Sequence, residues 1–289
     1  MKFKNENASV YFPGEESFSE ITDICIAAHQ DDIEIMAYAP IAECYDSSTR
    51  SFCGVVVTDG AGSPRTGEYA DYTDEQMKQV RIDEQRKAAK LGKYRAVIQL
   101  GYPSKAVKDA SNFDPADDIF NLLMQVRPKY LYTHNIADKH ETHVAVALRV
   151  IAAVKKMPKE ARPEKIIALE VWRGLDWLCD SDKLCLDTSA YPKLATELLQ
   201  VHRSQVVGGK RYDNAAVGRR YANATFFASH STDSSDSISF GMDLVPMIEN
   251  NITPKEYIAQ FMNRFEKEVN DADMEKFIRD FEIEVDEDN

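Results

Sequence analysis

The stretch Ile24-Cys25-Ile26-Ala27-Ala28-His29-Gln30-Asp31-Asp32-Ile33-Glu34 decides how the chain is read. The apolar, partly β-branched run from Ile21 to Ala28 predicts a buried strand. It stops at one histidine and two adjacent aspartates. In an open α/β sheet, ligands bind at the carboxyl ends of strands. Three ionisable groups within four residues repel one another unless a cation joins them, and a divalent metal is the simplest choice. His29 and Asp32 can aim at one ion from a tight turn or a first helical turn, which leaves Asp31 free to handle a proton. The competing reading is that Asp31 or Asp32 caps the next helix. Taken alone, the stretch does not separate the two.

Outward from it, strands and helices alternate. Ser51–Thr58 predicts a second strand, which runs into the breaker-rich loop Asp59-Gly60-Ala61-Gly62-Ser63-Pro64. Thr73, with Gln76 three residues on, starts a helix that runs to Leu91 and stops at Gly92. Ala96–Leu100, Tyr130–Thr133 and Ile166–Trp172 predict further strands, and Asp114–Val126 and Val144–Val154 further helices. Ile33–Cys44 predicts a buried helix that Pro40 kinks or delays. Val10-Tyr11-Phe12 predicts a short edge strand. This alternation predicts an α/β fold, Rossmann-like, with a mostly parallel sheet and helices on both faces. No GxGxxG follows the first strand, so dinucleotide binding is not expected. Residues 1–245 are expected to form one domain. Residues 246–289 are expected to add a C-terminal helical extension, with Tyr257, Ile258, Phe261, Met262 and Phe265 on one face, packed on the domain or on a second copy. The acidic end, Glu282–Asn289, is expected to fray.

Composition bounds the partners. The chain has 289 residues, 44% of them hydrophobic, enough for a large core. A net charge of −13 argues against nucleic acid and anionic membranes as partners. No run approaches the ~18 apolar residues of a membrane span. The N-terminus shows no apolar leader. The five cysteines are odd in number and form no CxxC, which reads as reduced thiols. A cytoplasmic location is expected, and a homo-oligomer is left open.

A second cluster completes the first. His134 ends the fourth strand, and Asp138-Lys139-His140-Glu141-Thr142-His143 follows. His140 and His143 share one face of a helix start. Opposite His29-x-x-Asp32, this spacing points to a metal site. A catalytic zinc keeps three protein ligands and one open position. His29, Asp32 and His143 would hold one Zn2+ per chain, which lowers the pKa of the water it carries towards ~7. Asp31 would act as general base. His140 would stabilise an oxyanion or protonate a leaving amine, and Arg81 would add positive charge. The alternative for Arg81 is an ordinary surface ion pair with Glu84. This set suits metal-assisted hydrolysis of a polar carbonyl compound.

These residues resemble a known family. Ala28-His29-Gln30-Asp31-Asp32-Ile33-Glu34 resembles the AHPDDxE motif of the LmbE-like, or PIG-L, zinc-dependent N-deacetylases. His140-Glu141-Thr142-His143 resembles their HPDH motif. Arg81-Ile82-Asp83-Glu84 with Ala88, Ala89 and Leu91-Gly92 resembles their RxxE…AAxxLG helix. His202-Arg203-Ser204-Gln205 resembles an HxSQ element. The resemblance implies a Rossmann-like fold and removal of acetyl from an N-acetylglucosamine-type amino sugar conjugate. It implies zinc on His29, Asp32 and His143, Asp31 as general base, and His140 as the transition-state histidine assisted by Arg81. Two positions depart from the pattern. Gln30 stands where the motif has proline. Thr142 stands where it has the aspartate that supports the neighbouring histidine, with Asp138 and Glu141 as substitutes. These departures support the alternative, a weakened carbohydrate-binding protein with a degenerate metal site.

Beyond residue 170 the motifs give out. Trp172 and Trp177 read either as sugar-stacking rings or as core. Gly208-Gly209-Lys210-Arg211 and Arg219-Arg220-Tyr221 read either as an anion-binding stretch or as a charged surface loop.

Overall fold

The computed structural model describes residues 2–271 apart from Gly209 and Ser229, so the acidic end lies outside the described residues. Eight strands form one sheet: β1 (Ser9–Tyr11), β2 (Asp23–Ala27), β3 (Phe52–Thr58), β4 (Ala96–Tyr102), β5 (Tyr130–His134), β6 (Lys165–Leu169), β7 (Leu184–Asp187) and β8 (Ile238–Asp243). The helices are α1 (Asp32–Met36), α2 (Tyr38–Tyr45), α3 (Asp74–Leu91), α4 (Ser104–Lys108), α5 (Asp114–Val126) and α6 (Glu141–Lys156). The C-terminal half adds α7 (Pro192–Val201), α8 (Arg203–Val206), α9 (Tyr212–Phe226), α10 (Val245–Glu249) and α11 (Pro254–Asp271).

The sheet order is β1-β4-β3-β2-β5-β6-β8-β7. β4, β3, β2, β5 and β6 run parallel. β1 closes one edge antiparallel to β4. β8 runs antiparallel to both β6 and β7. β2 is buried at every residue, as a strand covered on both faces must be. Alternate side chains serve opposite layers. Ile24 and Ile26 pack with Leu122, Val146 and Val150 of α5 and α6. Cys25 and Ala27 pack with Ile33, Ile41, Ala88 and Leu198 of α1, α2, α3 and α7. α1 lies so close over β3 that a Cβ at Gly54 would meet Ile33 Cδ1 at 2.9 Å.

Local signals explain the boundaries. Thr73 and Gln76 form the reciprocal capping box at the start of α3, and Gly92 caps its end. The single helix predicted over Ile33–Cys44 is two, broken at Ala37. Pro40 lies in the first turn of α2, where a missing N–H leaves no intrahelical bond unmade. The strand predicted over Ile166–Trp172 ends at Leu169, and the chain then turns into an irregular segment. Tyr257 and Phe261 anchor α11 in the core. Met262, Phe265 and Val269 remain exposed on it. Among the described residues no helix is long and apolar enough to cross a membrane.

Candidate active site

β2 and β5 are neighbours, with β3 and β4 to one side and β6 to the other. Chain order reverses between them, which opens a crevice beyond their carboxyl ends. His29 follows β2 into that crevice, and α6 begins beside it with Glu141. The two sequence clusters therefore meet.

His29 Nδ1 lies 3.2 Å from Asp32 Oδ2 and 3.2 Å from His143 Nε2. His143 Nε2 lies 3.4 Å from Asp32 Oδ2. Ligand atoms about 2.1 Å from a tetrahedral ion sit roughly 3.4 Å apart, so this triangle has the size of one face of a zinc tetrahedron. Burial alone would raise the Asp32 pKa, but His143, His134 and His29 hold it well below the usual carboxylate range. The donor set is thus two imidazole nitrogens and one ionised carboxylate, all suited to zinc. The other ring nitrogen of His143 faces Asp138 Oδ2 at 3.6 Å, the carboxylate partner expected behind a ligating histidine. Asp138 also accepts N–H bonds from His140 and Trp172, each 3.1 Å.

Asp31 occupies the N-cap position of α1, but its side chain makes no capping bond. Asp32 Oδ2 instead accepts the His29 N–H at 2.7 Å. The capping reading therefore describes neither aspartate. Asp31 has φ 96°, a backbone conformation rare for a non-glycine residue. Arg81 pins it there. The guanidinium donates to Asp31 Oδ1 at 3.0 Å and to the Gln30 carbonyl. Arg81 is 1% exposed, and its Nη1 lies 3.8 Å from Glu84 Oε2, so the pair is no surface ion pair. Burial pushes the Asp31 carboxyl up, and Arg81 opposes that shift. His140 stacks on His143, with ring centroids 4.5 Å apart. Its Nδ1 has no hydrogen-bond partner among the described residues. Burial and the neighbouring His143 push its pKa down.

The remaining motif residues frame this site. Glu34 is fully buried and accepts bonds from Gln85 Nε2 (2.9 Å) and Tyr94 Oη (2.7 Å). Its other oxygen pairs with His202 Nε2 at 2.9 Å. Glu84 accepts both the backbone N–H and the hydroxyl of Ser204, each at 2.7 Å. The His202–Gln205 segment is thus bolted to the first and third motif segments through two buried carboxylates. His134, which sequence reasoning left without a role, is fully buried. Its Nε2 accepts the Ala28 N–H at 2.8 Å, and its ring stacks on His143 at 4.0 Å. His134, Asp138 and His143 also converge; His134 Nε2 is committed to Ala28, whereas its Nδ1 has no hydrogen-bond partner among the described residues. Its place at a strand's carboxyl end was the available signal.

Both departures lie buried beside the site. Gln30 is buried, and its Nε2 donates to Gln99 Oε1 at 3.1 Å. Gly60 beside it has φ 73°, and a Cβ there would come within 2.7 Å of Gln30 Oε1. Thr142 is buried on the cleft wall. Of its two suggested substitutes, Asp138 serves the site, whereas Glu141 reaches outward to Lys108. The cleft has a volume of about 370 Å3. Trp172 is 37% exposed there, whereas Trp177 packs against the core.

Fold and crevice together define a class: a Rossmann-like α/β protein with a histidine–aspartate pocket at the switch point. Residues 24–154 match the family model described as PIG-L: GlcNAc-PI de-N-acetylase. No curated protein matches the chain. Among solved structures it is similar to N,N'-diacetylchitobiose deacetylase from Pyrococcus horikoshii, with TM-score 0.62 and 16% identity, covering 81% of this chain and 86% of that one. A conserved protein from Thermus thermophilus aligns with TM-score 0.59 and 19% identity over 78% of this chain and 95% of that one. GalB, the 4-carboxy-2-hydroxymuconate hydratase from Pseudomonas putida, aligns with TM-score 0.57 and 15% identity over 78% and 97%. A deacetylase and a hydratase thus share the fold, and function has to be argued from the site.

Proposed function

We propose that the protein is a zinc-dependent hydrolase that removes acetyl from an N-acetylglucosamine-type amino sugar conjugate. The observation that carries this is the His29–Asp32–His143 triangle with the Arg81-held carboxylate of Asp31 in the same cleft. The family match and the deacetylase among the structural neighbours support it. A zinc ion on these ligands supplies Lewis acidity to the acetyl carbonyl and to water.

The chain's own residues do the rest. Asp31 Oδ1 is engaged by Arg81, which leaves Oδ2 to take the proton of the attacking water. Arg81 keeps that carboxylate oriented and adds positive charge where the oxyanion forms. His140 lines the cleft beside the triangle and would hydrogen-bond the developing oxyanion, while the proton taken by Asp31 passes to the amine, directly or through His140, as the C–N bond breaks. Trp172 gives the sugar ring an aromatic wall. The reaction consumes one water and yields acetate and a free amine.

The test is bound zinc by elemental analysis together with acetate release from a panel of N-acetylglucosamine conjugates, for wild type and His143→Ala. We expect one zinc per chain and release of acetate, both lost in the variant. One bound zinc with no turnover of any amide would overturn the proposal in favour of a sugar-binding protein.

A further inference from the structure

Gln99 lies on β4, a strand that, among the described residues, lines no part of the cleft. Its buried amide is nonetheless engaged at both ends. Oε1 accepts Gln30 Nε2 at 3.1 Å, and Nε2 donates to the Ile82 carbonyl at 3.2 Å. Each partner adjoins a group of the cleft: Gln30 precedes Asp31, and Ile82 follows Arg81. Arg81 in turn donates to the Gln30 carbonyl and to Asp31 Oδ1. Hydrogen bonds therefore close a ring through the turn after β2, helix α3 and strand β4. Gln30 is 0% and Gln99 3% exposed, so water does not compete for the amide bonds.

Packing tightens the ring. A Cβ at Gly60 would come within 2.7 Å of Gln30 Oε1 and 3.0 Å of Arg81 Cγ, so both side chains press on one stretch of backbone. Gln30 Oε1 has no hydrogen-bond partner among the described residues. The hold on that side chain thus rests on Nε2, which Gln99 shares with the Thr58 carbonyl at 3.4 Å.

The geometry needs such a hold. Asp31 has φ 96°, and a strained backbone persists only where its surroundings over-determine it. Arg81 reaches Asp31 with a long side chain from a separate element, so the register between the turn and α3 decides whether the two meet. A misplacement of about 1 Å costs on the order of 10² in rate.

We propose that Gln30 and Gln99 are positioning residues for proton transfer, joined as a strut that keeps Asp31 and Arg81 in register. This rests on the deacetylase reading of the same cleft.

The experiment compares wild type, Gln30→Met, Gln99→Met and the double variant. Acetate release, zinc content and urea midpoint are measured for each, together with the Arg81 Nε–H resonance in zinc-free protein. Each single change should lower kcat about tenfold, leave KM and zinc content near wild type, and lower the urea midpoint by orphaning its partner's amide. In the double variant both partners are apolar, so the midpoint should recover. Its kcat should not recover, and should stay about tenfold down rather than a hundredfold, because a strut broken at one end is already broken. The Arg81 resonance should shift or broaden in all three variants. If the wild type cleaves no amide, the deacetylase reading fails, and the resonance still decides whether the strut holds the guanidinium. Unchanged kcat in Gln99→Met, a double variant whose kcat recovers with its stability, or an unmoved Arg81 resonance would overturn the proposal.

Discussion

Replacing Asp31 by asparagine separates proton transfer from metal binding. The backbone there has φ 96°, and asparagine tolerates positive φ better than most residues. Asparagine also keeps an oxygen that can accept from Arg81, now 3.0 Å from Asp31 Oδ1. The fold should therefore survive. A hydrogen bond to a charged group contributes about 1.5–3 kcal/mol and a neutral one about 0.5–1.5 kcal/mol, so the stability loss should be about 1–2 kcal/mol. That is a few degrees in Tm for a chain of this size. Asp31→Gly suits the backbone but removes the acceptor, and Asp31→Ala adds a left-handed penalty of roughly 1–2 kcal/mol. Melting temperatures should thus fall in the order asparagine, glycine, alanine. Activity should not follow that order. All three lose the proton acceptor, which typically contributes 10²–10⁴ in rate, or about 3–5 kcal/mol of barrier. The assay is kcat for acetate release on protein whose zinc content is measured in parallel, with intact mass checked for deamidation back to aspartate. Asp31→Asn retaining kcat within tenfold of wild type would refute the general-base role. Loss of zinc in that variant would refute the division of labour between Asp31 and Asp32.

Three further outcomes follow from the geometry. Zinc at a hundred times its Kd should stabilise the fold by about 2.7 kcal/mol; differential scanning fluorimetry should show several degrees gained with metal, reversed by chelator and abolished in His143→Ala. Glu34→Ala leaves the donors of Gln85, Tyr94 and His202 facing nothing; at ~1–3 kcal/mol per orphaned group it should be severely destabilised in urea titrations. Glu34→Gln should cost far less, because His202 can shift its proton to Nδ1, a change visible as altered 15N imidazole shifts. Lys4 and Lys156 donate to Asp117 at 2.9 Å each and hold its carboxyl below the usual range. A depressed folded-state pKa means that the unfolded chain binds the proton more tightly, so this contribution is present at neutral pH and fades as pH falls below about 3.9. Lys4→Ala together with Lys156→Ala should flatten the acid limb of the stability curve at low salt and change little at 1 M salt.

What was legible in the sequence was what lies close along the chain. The buried strand, its abrupt ionic end and the His140–His143 pair are each local, and β2 and β5 bring them together because both end at the same sheet edge. The capping box at Thr73 was legible for the same reason. β7 and β8 were not predicted. β7 alternates half-buried and exposed residues over only four positions, and β8 follows a serine-rich loop that masks its start. α9 was missed because its buried positions include Asp213, Arg220 and Asn223, which break the apolar period that sequence reading depends on. For Arg81 and Glu84 the surface-pair alternative stayed open beside the catalytic reading because helical spacing alone carries no information on burial.

The frame around the His29–Asp32–His143 triangle ties distant positions together. Glu34 and His202 are 168 residues apart, and Glu84 and Ser204 are 120 apart, yet each pair buries a carboxylate against its donor. Such a carboxylate is costly unless every partner is in place, so these segments are constrained together although, among the described residues, none of the four hydrogen-bonds to the His29–Asp32–His143 triangle. The same logic applies at Thr142. A carboxylate there would join Asp31, Asp32 and Asp138 in a buried space, and like charges in low dielectric disfavour that crowding. Asp138, four residues earlier, already engages the ring of His143 and the backbone N–H groups of His140 and Trp172. Asp138 therefore stands behind His143 as a charge partner at 3.6 Å, and among the described residues neither His143 Nδ1 nor His140 Nδ1 has a hydrogen-bond partner.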